Sequence, residues 1–338
     1  MIQRKKINGV GIISTGSYLP EKILTNFDLE KIVDTTDKWI TTRTGIRERR
    51  ILDTGKGTSF MAIEAAKKAL NSAAMSPEDI DLIIVSTVTP DMMFPSTACL
   101  VQEGLNCKNA AAFDLEAACS GFLYGLSVAY SFVSSGIYRN VLLIGTEALS
   151  RITDWTDRNT CVLFGDGAGA AIISEVPEGK GVLGLELGAD GEGKNLLKQT
   201  AGGSLVPATV ESVRNKQHYI YMEGNEVFKF AVRKMEEISL KIIEKSKLKL
   251  EDIDYLVPHQ ANMRIIESAR KKLKLDQDKV YVNLENYGNM SSASIPVALD
   301  EAVRMNKIID DDVVLLIGFG GGLTWGAILL RWHSRGRF

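Results

Sequence analysis

Apolar positions along this chain follow two periods. Residues 82–86 (LIIVS) and 140–144 (NVLLI) are apolar without alternation, and read as parallel strands buried on both faces. Residues 7–14 (INGVGIIS) read as a first strand. Helical spacing appears at Ile63, Ala66 and Leu70, behind a Ser59 cap. It recurs at Phe122, Leu126, Tyr130 and Val133, and no charged residue stands between Cys119 and Gly136. A helix apolar all round is a buried helix, and Gly136 supplies its C-terminal stop. Thr25 with Asp28 resembles a capping box that opens a helix through Val33, and a second short helix carries Trp39. Thr42 to Arg50 (TRTGIRERR) reads as a loop or edge strand, and Ser76-Pro77-Glu78 as a helix start. Further on, Phe228, Ala231, Met235, Ile238 and Ile242 share one inward face, and Ile266, Ala269 and Leu273 another. Val313 to Leu330 is uncharged for 18 residues, but Gly318, Gly320, Gly321, Gly322 and Gly326 interrupt it. Two short strands about a glycine turn fit that pattern better than a membrane span.

The pattern repeats. EDIDLIIVS at 78–86 returns as EDIDYLVPH at 251–259, and VLLIG at 141–145 returns at 314–318, both at an offset of 173. Two matches at one spacing argue for a duplicated half. GAGAAII at 167–173 resembles the close of the second half, 322–329. Strand, helix, strand in each half predicts an α/β fold of two pseudo-symmetric βαβ-rich halves, residues 1–180 and 181–338. The offset carries Cys119 onto Ser292 and Ser86 onto His259.

Length and charge narrow the class. The 338 residues, 45% of them hydrophobic, are more than one typical core needs. A net charge of -2 argues against a nucleic-acid binder held by phosphate contacts. Four cysteines (Cys99, Cys107, Cys119, Cys161) fall at no metal-ligand or CxxC spacing, which suits a reducing cytosol. The N-terminal MIQRKKINGVGIIST lacks the apolar core of a signal peptide. The expectation is a cytoplasmic protein with no membrane partner.

Candidate chemistry centres on Cys119, where an extended segment (Ala111 to Leu115) gives way to the charge-free helix. A helix N-terminus favours a thiolate, the reactive form. The other reading is a small core residue at a tight turn. Of three histidines, His333 lies in a charged tail and reads as solvated, and His218 sits among polar residues. His259 follows a buried strand, and with Cys119 makes the nucleophile-and-partner pair of covalent catalysis. Ligands of open α/β sheets gather at the C-terminal strand ends, so Cys119, His259 and Asn289 are expected in one pocket. Asn289 can equally be a turn asparagine. Gly320 to Gly322 let backbone approach a ligand and offer an N–H to an oxyanion, or simply form a turn. Arg264, Lys271 and Lys272, with Lys229, form a basic face for an acidic partner or for solvent.

DLEAACSGF around Cys119, VPHQAN around His259, YGNMSSASIP around Asn289 and GFGGGLTWG at 318–326 together resemble β-ketoacyl-acyl-carrier-protein synthase III. That is the initiating condensing enzyme of type II fatty-acid synthesis. KWITTRTGIRERR, FGDGAGAA and MEGNEVFKF extend the likeness over nearly the whole chain. The resemblance implies a thiolase-like fold in five αβαβα layers and an acyltransferase. Its catalytic set is Cys119, His259 and Asn289, with the N–H groups of Cys119 and Gly321 as oxyanion hole. Trp39 and Arg158 look like the pair that sandwiches the CoA adenine, with Arg43 at the tunnel mouth. Asn225 and Asn262 would hydrogen-bond the pantetheine arm, and Phe94 and Phe228 would shape the acyl pocket. Phe94 would reach across a homodimer. Lys229, Arg264, Lys271 and Lys272 would dock acidic acyl-carrier protein. The substrates implied are acyl-CoA, acetyl-CoA by default, and malonyl-acyl-carrier protein, with no metal and no cofactor. A secondary-metabolite member of the same subfamily, with another primer or acceptor, is the alternative. The tail RWHSRGRF and Glu116 have no role in this reading.

Overall fold

Residues 8–336 are described in the computed structural model. The first half builds a five-stranded sheet from β1 (Gly9–Tyr18), β2 (Leu82–Ser86), β3 (Ala111–Leu115), β4 (Val141–Ala148) and β5 (Asp166–Val176), in the order β1-β5-β4-β2-β3. The second half builds a four-stranded sheet from β6 (Gly181–Ala189), β7 (Tyr255–Pro258), β8 (Val313–Gly320) and β9 (Thr324–Arg331), in the order β6-β9-β8-β7. The two orders match strand for strand. β2 runs parallel to β3 and β4, as β7 does to β8, while the remaining pairs are antiparallel. A single bridge, Leu256 to Val280, stands where the first half has β3.

The inner strands are apolar on both faces because both faces are covered. Leu82 and Ile84 of β2 enter one core while Ile83 and Val85 enter another. Val314 and Leu316 of β8 share that first core, and Leu315, Ile317 and Phe319 face a third. Helices α1 (Thr58–Ala73) and α2 (Thr97–Leu105) cover the outside of the first sheet. Helices α4 (Gly224–Lys245) and α5 (Met263–Lys272) cover the outside of the second. Between the sheets lie α3 (Gly121–Ser134) and α6 (Ser294–Arg304), which contribute Phe122, Leu123, Leu126, Ile295 and Leu299 to the shared core. The result is five layers, αβαβα. It also explains the charge-free stretch: α3 meets a sheet on each side, and only its last turns, at Ser131 and Ser134, are exposed.

The pseudo-symmetry reaches the backbone. Short turns at Ala118–Ser120 and Ser291–Ala293 introduce α3 and α6. Each opens on a left-handed residue, Ala118 at φ +47 and Ser291 at φ +45. L-residues with a side chain rarely hold that conformation, and it concentrates where surrounding structure enforces it.

Several local expectations need correction. The Thr25 capping box is present, but its helix is only Asn26–Leu29, because Glu30 accepts the Asp37 N–H and turns the chain into the next helix. Arg43 lies in that helix, Asp37–Thr44, which ends at Gly45 with φ +85. Only Glu48–Arg50 of the expected edge strand pairs, with Ile23–Thr25. Gly57, not Ser59, is the N-cap of α1, since Asp91 binds both the N–H and the hydroxyl of Ser59. In α4 it is Phe230, not Phe228, that is buried. His333 is half-buried and not free in solvent: its Nδ1 lies 3.2 Å from Asp310. The tail docks back on the first half, with Trp332 in the shared core and the Arg335 N–H on the Ile13 carbonyl. Ile7 of the expected first strand, and Arg337 and Phe338 of the tail, lie outside the described residues. No helix among the described residues is long and apolar enough to cross a membrane.

Candidate active site

The chain leaves β3 and turns sharply before α3. The Glu116 carboxylate accepts the Ala118 N–H at 2.9 Å and braces the left-handed residue beside Cys119. Cys119 therefore sits in the turn before α3 and is 8% exposed. Gly320 of β8 presses on this turn. A Cβ there would lie 2.7 Å from the Cys119 nitrogen and 3.1 Å from the Ala118 Cβ, so only glycine allows the approach.

His259 follows β7, and its N–H bonds the Ile317 carbonyl at 2.7 Å. The ring meets Phe319 edge-on, with centroids 5.7 Å apart. Neither ring nitrogen has a hydrogen-bond partner among the described residues. Burial pushes the imidazole pKa down to about 3. The ring is therefore neutral, with one nitrogen to donate and one to accept.

Asn289 follows Gly288, which holds φ +66. Its N–H bonds the Leu163 carbonyl at 2.8 Å, and its carbonyl takes the Gly165 N–H at 3.0 Å. The side-chain Oδ1 accepts the Ser291 N–H at 2.8 Å, which leaves Nδ2 as the donor end. The turn that follows, Ser291–Ala293, lies against the Cys119 turn. Cys119, His259 and Asn289 are thus carried to one end of the two sheets by a turn, a strand end and a turn.

A cavity of about 390 Å³ opens at Cys119. Leu149, Ile152, Phe164, Leu197 and Ile220 make its apolar wall, and Ser291, Glu116 and Gly321 reach it too. His259 and Asn289 lie outside its lining. Burial pushes the Cys119 thiol up to about 12; the Ser291 hydroxyl and the residue's own N–H oppose this, and Glu147 and Glu116 add to it. The expectation of a resting thiolate at a helix N-terminus is corrected accordingly. Desolvation outweighs the dipole, and the thiol holds its proton until something takes it.

The other expected site residues are scattered around this centre. Arg43 and Arg158 both lie over the Trp39 ring, at 4.5 Å and 4.9 Å. Asn262 caps α5 through Oδ1 and donates Nδ2 to the Arg43 carbonyl at 3.0 Å. Asn225 is exposed in the first turn of α4. Phe94 is 85% exposed. Phe228 does not line the cavity: it packs beneath the Arg264 guanidinium, 5.1 Å from its ring centre, because its position on α4 faces α5 instead. Lys229, Lys271 and Lys272 pair with Glu226, Glu267 and Glu236 at 2.8, 3.6 and 2.9 Å. Exposed pairs of this kind are worth little and exchange readily. Glu147 and Ser291 escaped the sequence reading. The one signal for Ser291 was the 173-residue offset, which lays it on Ala118.

Two family models match, described as 3-oxoacyl-[acyl-carrier-protein] synthase III over residues 113–191 and its C-terminal part over residues 243–332. The chain is 60% identical to the β-ketoacyl-[acyl-carrier-protein] synthase III of Caldanaerobacter subterraneus subsp. tengcongensis over 324 residues, 96% of this chain and 98% of the relative. The chain belongs to the β-ketoacyl-acyl-carrier-protein synthase III family. It is a condensing acyltransferase with a thiolase-like fold. The same-named protein of Desulfitobacterium hafniense strain Y51 is 56% identical over 97% of this chain and 99% of its own. The crystal structure of the synthase III from Aquifex aeolicus VF5 matches at 51% identity with a TM-score of 0.89, over 96% of this chain and 100% of that one. Relatives this near do not favour the secondary-metabolite alternative.

Proposed function

We propose that Cys119, His259 and Asn289 carry out a two-stage decarboxylative condensation. In the first stage the Cys119 sulfur attacks the carbonyl carbon of an acyl-CoA, and the CoA thiol leaves. The N–H groups of Cys119 and Gly321 face the oxygen that becomes negative. In the second stage malonyl-acyl-carrier protein enters. A neutral His259 and the Nδ2 of Asn289 donate to its thioester carbonyl. Carbon dioxide departs, and the two donors stabilise the enolate it leaves. The enolate carbon attacks the Cys119 thioester, giving 3-oxoacyl-acyl-carrier protein and a free Cys119. Decarboxylation supplies the carbanion, so the reaction calls for no cofactor. The observation that carries this reading is His259, buried, uncharged and without a partner on either nitrogen. A polar group left so is costly unless a ligand completes it.

The CoA adenine would take a face of Trp39, displacing Arg158 from its stack. Asn225 and Asn262 would meet the pantetheine arm. Arg264, with Lys229, Lys271 and Lys272, would dock the acidic carrier protein. Phe94, exposed in one protomer, would close the acyl cavity of its partner in a homodimer. The cavity holds many times the about 30 Å³ that a water occupies in the liquid, leaving room for primers larger than acetyl. Mass spectrometry of the protein after incubation with a panel of acyl-CoAs tests the reading. An adduct on Cys119, discharged by malonyl-acyl-carrier protein as the 3-oxoacyl product, is the expected result. An adduct that this second substrate cannot discharge would assign a different acceptor.

A further inference from the structure

Glu147 lies one residue before the end of β4, fully buried. Its Oε2 accepts from Thr89 Oγ1 at 2.7 Å, the Val88 N–H at 3.1 Å and Thr87 Oγ1 at 3.2 Å. Its Oε1 meets the Ser292 hydroxyl at 2.9 Å. That hydroxyl also lies 2.8 Å from the Ser86 carbonyl, which can only accept. A hydroxyl has one proton to give. If Ser292 gives it to Ser86, then Oε1 must carry a proton of its own and donate. If Glu147 is ionised, Ser292 must swing from Ser86 to Oε1. The carboxyl therefore has a built site for a proton that comes and goes.

Ser291, the next residue along, is also unusual. The residue lines the cavity at Cys119, and its Oγ is buried with no hydrogen-bond partner among the described residues. The turn it opens packs against the turn that carries Cys119, and its hydroxyl favours the charged form of two titratable groups, the Cys119 thiol and the Glu147 carboxyl. A hydroxyl with no partner of its own thus bears on both a thiol that holds its proton and a carboxyl with a place to put one.

We propose that Glu147 accepts the Cys119 proton through Ser291 during acylation of the enzyme. The inference rests on Cys119 being the acylated nucleophile. The thiol passes its proton to Ser291 Oγ as the Ser291 hydroxyl proton passes to the Glu147 carboxylate. The sulfur pair so freed forms the bond to the acyl carbonyl carbon. The CoA carbon–sulfur bond breaks, the pair leaves with the CoA sulfur, and that sulfur takes the proton back from Glu147 through Ser291. No other reactant is needed. His259 remains neutral and available for the decarboxylation stage. Burial raises the Glu147 carboxyl to about 7, against hydrogen bonds from Thr89, Ser292 and Val88 and the influence of the Ser291 hydroxyl. An acceptor poised near the working pH is the effective kind. The titratable group facing it is Cys119, and Glu116 is a second carboxylate that bears on that thiol.

Acyl-enzyme formation from acetyl-CoA, followed by rapid quench and mass spectrometry between pH 5.5 and 8.5, tests this. The wild-type rate should rise through about pH 7. Glu147→Gln should lose that rise and slow acylation about a hundredfold, the low end of what a general base supplies. Glu147→Asp should restore part of both. Ser291→Ala keeps the four bonds at Glu147 and should lose the rise as well. The double variant should be little slower than either single one. Condensation by pre-acylated enzyme should fall far less than acylation in Ser291→Ala. An unchanged pH profile in both variants, or an equal loss in both half-reactions, would overturn the proposal. No adduct on wild-type Cys119 would instead overturn the reading beneath it.

Discussion

At the scale of single residues, two buried groups set opposite pH slopes on stability. His259 titrates near 3 when folded and near 6.5 when unfolded. Between those values the unfolded chain binds the extra proton, so stability rises with pH across that window. Glu147 titrates near 7 when folded and near 4.5 when unfolded. There the folded protein binds the extra proton, so stability falls as pH rises from 4.5 to 7. Each slope is at most about 1.4 kcal/mol per pH unit, the worth of one proton. The windows overlap from pH 4.5 to 6.5, where the two slopes oppose, so denaturant unfolding should show stability falling from pH 4.5 to 7 in His259→Phe and rising up to pH 6.5 in Glu147→Gln. Cys119→Ser should abolish condensation, and full activity in that variant would refute the covalent route. Cys119 and His259 were legible in the sequence because each ends a pattern. Their protonation states were not, since desolvation depends on what folds over them.

At the scale of elements, the glycine strand β8 decides how Cys119 is presented. Gly320→Ala would drive a methyl into the Cys119 nitrogen. Overpacking of this kind costs about 1–3 kcal/mol, and acylation should fall with it as the turn shifts. Gly203→Ala, with nothing within 4 Å of the added carbon, is the control and should leave both unfolding and acylation near wild type. Strands 82–86 and 141–145 were readable because burial on both faces removes alternation. The start of α1 was not. The Asp91 carboxylate that binds Ser59 comes from 32 residues away, beyond any local cap signal.

At the scale of the whole molecule, the tail and the face proposed for the carrier protein give separate tests. Trp332 lies 2% exposed in the core that both sheets share. Trp332→Ala should cost about 3–5 kcal/mol and lower the thermal midpoint of the whole protein in one transition, because both halves lose the same neighbour. Two separate transitions would show halves that melt independently. Arg264→Glu should weaken binding of acyl-carrier protein severalfold while leaving acylation by acyl-CoA intact. Equal affinity measured by titration calorimetry would remove Arg264 from the docking surface.

The sequence by itself determined the duplicated plan and the buried central helix, and it singled out Cys119, His259 and Asn289 as the residues proposed for the chemistry. Each is written in a local period, a repeat offset or a motif. Only the tertiary structure decided which charges survive burial, that Phe228 packs under Arg264 and outside the lining of the cavity at Cys119, and that Trp332 of the tail belongs to the core. It also brought Glu147 and Ser291, 144 positions apart, to the same thiol. Such pairings come from the stacking of two sheets across a shared helix layer. No spacing along the chain records them.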